Sequence, residues 1–129
     1  MADSDVQPML WVDDIEAAMA WYRDRLGCAV TVFGHDEAGR ASVCLASLDG
    51  AAVLITRDPA MALGAAGEGS GHVRLYFHLR DSVDVLHAQV SGKTDVEIVQ
   101  APTDQWWGDR TLILRDPWGT VLVFSNPTS

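Results

Sequence analysis

Two stretches of this chain run through the same succession of patterns: one strand, one helix, then three strands. In the first, Pro8 to Val12 is a short extended run, and Ile15, Ala18, Met19, Tyr22 and Leu26 recur at helical spacing, which predicts a helix over 15–26. Asp14 is its candidate N-cap and Gly27 its stop. Strands are predicted at 28–33, 41–48 and 51–56, the last two joined by Asp49-Gly50, a pair favoured in tight hairpins. Connections this short leave no room for crossover helices, so the sheet of this half is expected to be mostly antiparallel. In the second stretch, 72–79 is strand-like, Asp81-Ser82 precedes a helix over 83–90, and strands follow at 96–100, 111–114 and 120–124. The order predicts an α+β fold of paired βαβββ modules, at about 5–58 and 72–126, whose sheets lie side by side around a concave face. Residues 59–71, ending in Gly67, Gly69 and Gly71, form the expected linker, and the whole of 1–129 is expected to be one domain.

Composition narrows the function. A formal charge of −9 leaves no basic stripe to neutralise phosphates, which argues against nucleic acid and favours a neutral or cationic partner. No apolar run approaches the roughly 18 residues that span a bilayer. The acidic start, Met1 to Val6, has no signal-peptide pattern, so a cytoplasmic protein with no membrane partner is expected. Cys28 and Cys44 have no partnering histidines nearby in sequence and are expected to be small core residues in a reducing compartment. Ser42 and Cys44 alternate along one strand, where small side chains would widen a pocket.

The densest chemistry lies at Asp104-Gln105-Trp106-Trp107-Gly108-Asp109-Arg110, followed by the turn Asp116-Pro117-Trp118-Gly119. Large rings with a polar handle suit the grip of a planar ligand, so Trp106, Trp107 and Trp118 are candidates for an aromatic clamp. Each has a plainer alternative, plugging a sheet end or a dimer seam. Trp11 alternates with Met9 on its strand and is a candidate for the concave face. Asp109 and Arg110 are adjacent on an extended chain and must face opposite ways. Arg110 is then either a fork for a ligand carboxylate or the anchor of a loop salt bridge. Gln105 is a candidate for an orienting amide hydrogen bond. Arg74, Tyr76 and His78 share one strand face as a polar row. No spacing supports a nucleophile–histidine–acid triad, and no catalytic residue is assigned.

The run Val12-Asp13-Asp14-Ile15-Glu16-Ala17-Ala18-Met19-Ala20-Trp21-Tyr22-Arg23-Asp24-Arg25-Leu26-Gly27 resembles the opening of the vicinal oxygen chelate superfamily, which includes glyoxalase I, extradiol dioxygenases, and fosfomycin and bleomycin resistance proteins. Asp116-Pro117-Trp118-Gly119 resembles that family's closing Asp-Pro-x-Gly turn, and the likeness spans essentially the whole chain. It implies an open, barrel-like cup. It also implies four metal-ligand positions in the family's enzymes, falling here at Gln7, Leu54, Leu75 and about Val123. Gln7 alone can coordinate a metal, and slips of one residue restore no carboxylate–imidazole set. The resemblance is nearest in character to metal-free, bleomycin-resistance-like members.

The expectation is a homodimeric protein, without metal or other cofactor, that binds and sequesters a planar, cationic or neutral aromatic small molecule such as an antibiotic. Its ligand-binding residues would be Trp11, Trp106, Trp107, Trp118, Gln105, Arg110, Tyr76 and Gln7. One alternative is a lyase, isomerase or hydrolase-type enzyme using side-chain acid–base chemistry in the same cup. Another is a structural or regulatory homodimer with the tryptophans in its seam.

Overall fold

A computed structural model of the protein describes residues 8–57 and 74–128; Gln7, His72 and the expected linker 59–71 lie outside them. The chain divides into two compact units. Unit one contains β1 (Met9–Trp11), α1 (Ile15–Leu26), β2 (Ala29–His35), β3 (Ala41–Leu48) and β4 (Ala51–Thr56). Unit two contains β5 (Arg74–His78), α2 (Val83–Val90), β6 (Glu97–Asp104), β7 (Asp109–Arg115) and β8 (Val121–Pro127). Both are βαβββ modules, as the order of patterns predicts.

Each module carries a four-stranded sheet, in order β1-β4-β3-β2 and β5-β8-β7-β6. The hairpin pairs are antiparallel, while β1 lies parallel to β4 and β5 to β8, so both sheets are mixed. That parallel pair is the one whose connection is long enough to include a helix.

Local chemistry accounts for the boundaries. The Asp14 side chain accepts the Ala17 N–H at 3.1 Å, and Gly27 ends α1 with φ of 78°, a left-handed conformation open to glycine at little cost. Ser82 caps α2 through the Asp84 N–H. The turn residues Asp49 and Gly50 both have positive φ (53° and 87°), the primed geometry that matches strand twist.

In unit one, α1 covers the sheet face bearing Leu10, Ile55 and Cys44, which pair in one row and are all buried. Cys44 is fully buried on that face, so it fills the core beneath the helix and does not widen a pocket. Met9 and Trp11 lie on the opposite face by alternation. In unit two, α2 buries Val83, Leu86 and Val90 on a face where Phe77, Phe124 and Leu112 share a row. The Phe77 and Phe124 rings stack with centroids 4.9 Å apart. Asn126, on the same face as Phe124, accepts the Val83 N–H at 2.6 Å and donates to the carbonyls of Leu79 and Asp81. This one amide ties the start of α2 to the end of β8.

Candidate functional site

The face of the unit-two sheet turned away from α2 follows directly from the register. Tyr76, Val123, Ile113 and Gln100 form one row across four strands, and His78, Ser125 and Thr111 form the next. Arg74, Tyr76 and His78 share this face, as the spacing of two predicts, and all three are exposed, while Val123, Ser125 and Thr111 in the middle of it are buried. β7 continues it to Asp109.

The tryptophan loop is tighter than the sequence pattern predicts. β6 runs to Asp104 and β7 starts at Asp109, which leaves only the hairpin tip Gln105 to Gly108. Strand β6 gets that far because it is an edge strand. It absorbs irregularities between Ile98 and Gln100 and between Gln100 and Thr103, and Pro102 is tolerated where no second neighbour needs its missing N–H. The tip closes by Gln105 N–H to the Asp109 carbonyl (2.7 Å) and Gly108 N–H to the Gln105 carbonyl (3.1 Å), with Gly108 at φ 97°. Trp106 and Trp107 occupy its two central positions, edge to face at 5.5 Å. Trp106 is 92% exposed and Trp107 48%.

From this tip a chain of hydrogen bonds crosses the open face. The Trp107 indole Nε1 donates to the Tyr76 hydroxyl at 3.1 Å, and that hydroxyl donates to Asp109 Oδ2 at 2.7 Å. His78 packs its ring against Tyr76 (5.1 Å between centroids), and its Nδ1 lies 3.3 Å from Ser125 Oγ. Gln105 Nε2 donates to Gln100 Oε1 (3.1 Å) and Thr111 Oγ1 (2.9 Å). Asp109 Oδ1 has no hydrogen-bond partner among the described residues.

The other candidates lie elsewhere. Arg110 faces α2, opposite to Asp109. Its Nε and Nη2 grip both oxygens of Asp84, and its Nη1 donates to Asp104, at 3.0 Å each. These bonds hold the Asp84 carboxyl below the usual carboxylate range and push the guanidinium pKa up. The arrangement is a fork–fork pair bracing α2 against β7, beside a cavity of about 700 Å³ lined by Leu79, Arg80, Ser82 and Asn126 among others. Trp118 sits in the Asp116–Gly119 turn at the opposite end of β7 from Trp106 and Trp107. Seven strand residues, roughly 20 Å, separate them, so the three rings do not form one clamp. In that turn Asp116, 4% exposed, accepts the N–H groups of Trp118 and Thr120 at 3.0 and 2.8 Å. Trp11 belongs to unit one. Gln100 was not singled out by sequence reasoning; the only signal for it is its alternation with Ile98, blurred by the bulge between them.

The pattern of the Glyoxalase/Bleomycin resistance protein/Dioxygenase superfamily matches residues 6–124. The chain belongs to that superfamily. Its fold is similar to TioX from Micromonospora sp. ML1 (21% identity over 98% of each chain, TM-score 0.72). It is also similar to a protein of unknown function from Agrobacterium tumefaciens str. C58 (25% identity over 98% of this chain and 95% of that one, TM-score 0.73). A glyoxalase-related enzyme from Clostridium phytofermentans has the same fold at 16% identity (98% of this chain, 97% of that one, TM-score 0.71). A comparison with curated proteins finds no match.

The superfamily's metal enzymes raise the question of a metal here, and at the described positions among the four that the resemblance implies, the residues do not fit one. Leu54 lies on the face of its sheet turned away from α1 and Val123 on the face turned away from α2, and both end in hydrocarbon. Leu75 shares the α2 face with Phe77, so the open-face positions beside it are Arg74 and Tyr76. Among the described residues no group of three or more His, Cys, Asp or Glu side chains could hold a metal ion. No described helix is long and apolar enough to cross a membrane.

Proposed function

We propose that the open face of module two binds a planar small molecule, without a metal ion, and sequesters it. The observation that carries this reading is the Trp107–Tyr76–Asp109 chain. It fixes two aromatic rings by their polar ends, so their faces are held ready for stacking with little ordering left to lose on binding. Asp109 Oδ1, beside those rings, suits a ligand carrying positive charge, since a cation over an aromatic face next to a carboxylate is attracted by both. The net charge of −9 draws such ligands in. A planar, cationic antibiotic fits this chemistry, and holding it requires no reaction.

Fluorescence titration with proflavine in the presence of chelator tests the reading. Saturable quenching should survive chelation, weaken at least tenfold in Trp107→Ala, and persist in Trp118→Ala. Binding that requires added divalent metal overturns it.

One observation favours a second reading, acid–base catalysis on the same face: Tyr76 and Asp109 converge at 2.7 Å. A carboxylate must reach a substrate proton to act as base, and only Oδ1 is placed to do so. Product formation that disappears in Asp109→Asn, while binding is retained, would select this reading over sequestration.

A further inference from the structure

Gln100 and Gln105 join head to tail on the open face, and the join leaves specific valences unused. Gln105 Nε2 spends both its protons, on Gln100 Oε1 and Thr111 Oγ1. Its own Oε1 then has no hydrogen-bond partner among the described residues, and neither has Gln100 Nε2. One acceptor and one two-proton donor therefore remain on the same amide pair, on the sheet face that carries Tyr76 and His78. Gln105 is half-buried and held from two sides, which limits the ordering cost of using it. Thr111, which helps to fix it, is 1% exposed.

We infer that the Gln100–Gln105 pair is a specificity subsite that reads a carbonyl and an adjacent N–H on the edge of a planar ligand, as in a lactam ring. This inference rests on the proposed binding face. Gln100 Nε2 donates to the ligand carbonyl and Gln105 Oε1 accepts its N–H, while Trp107 and Tyr76 supply the stacking surface. A ring system without that edge would stack equally well but leave both amide groups to water.

Three neutral bicycles of nearly equal size separate the contributions: naphthalene has neither group, coumarin has the carbonyl, and carbostyril has the carbonyl and the N–H. Equilibrium dialysis against the full-length protein should give tighter binding at each step, each hydrogen bond gained being worth up to roughly tenfold. In Gln100→Leu, a change at an exposed edge-strand position, the coumarin advantage over naphthalene should vanish while the carbostyril advantage over coumarin persists. Equal binding of all three bicycles by the wild type, or an unchanged ladder in Gln100→Leu, overturns the subsite and leaves the stacking face standing. Failure of the bicycles and of proflavine alike overturns both.

Discussion

Burial sets the chemistry of both cysteines: loss of solvent pushes the Cys28 thiol up to about 12 and that of Cys44 to about 11, with the Glu16 charge adding to the latter. Neither thiol should react with iodoacetamide at about pH 8 in the native protein, and both should label once it is unfolded in guanidinium. Rapid labelling of either in native buffer would contradict their placement. Asp84 gives the opposite sign of shift. Its folded pKa is depressed, first by the Arg110 hydrogen bonds, so its stabilising contribution is complete above the unfolded aspartate value of about 3.9 and is lost as pH falls through the lower folded value. Thermal melts of wild type and Asp84→Asn should therefore differ at neutral pH and converge in acid. At this scale the sequence was legible wherever alternation decides: opposite faces for Asp109 and Arg110, one face for Arg74, Tyr76 and His78. It did not show that Arg110 pairs with Asp84 of α2, because Asp84 is 26 residues away in the chain.

Helices and hairpins were legible where caps and turn residues punctuate them. The ends of α1 fall where Asp14 and Gly27 place them, and Asp49-Gly50 turns as its composition requires. Strand β6 was not legible beyond Gln100, because bulges break the alternation of two that marks a strand, and Pro102 looks like a stop. Extending β6 shortens the tryptophan loop to a hairpin tip, and the length of β7 then parts Trp118 from Trp106 and Trp107. Phe124, fully buried and stacked on Phe77, lies on the sheet face that α2 covers. Phe124→Ala should cost about 3–5 kcal/mol in chemical denaturation, whereas Val85→Ala, on the exposed side of α2, should stay within about 0.5 kcal/mol. Comparable losses at both positions would mean that α2 packs by a different face.

The repeat is the property of the whole molecule that the sequence carried most clearly, and the two modules share it down to single bonds. Val12 N–H donates to the Thr56 carbonyl in one, and Leu79 N–H to the Ser125 carbonyl in the other, both at 2.9 Å, just past the parallel strand pair. Thr56 and Ser125 are both buried hydroxyls. The side chains laid on this common frame differ between the modules, and at Leu54 and Val123, two of the positions where the family resemblance implies metal ligands, both place hydrocarbon. What sequence order could not supply was the meeting of Tyr76 with Trp107 and Asp109, which lie 31 and 33 residues further along the chain. That meeting is the core of the proposed site, and the indole N–H signals report on it most directly. In a nitrogen-15 correlation spectrum of chelator-treated protein titrated with proflavine, the Trp107 indole resonance should shift saturably and that of Trp118 should stay fixed. A saturable shift of Trp118 with Trp107 unmoved would place the ligand at the other end of β7 and contradict the account.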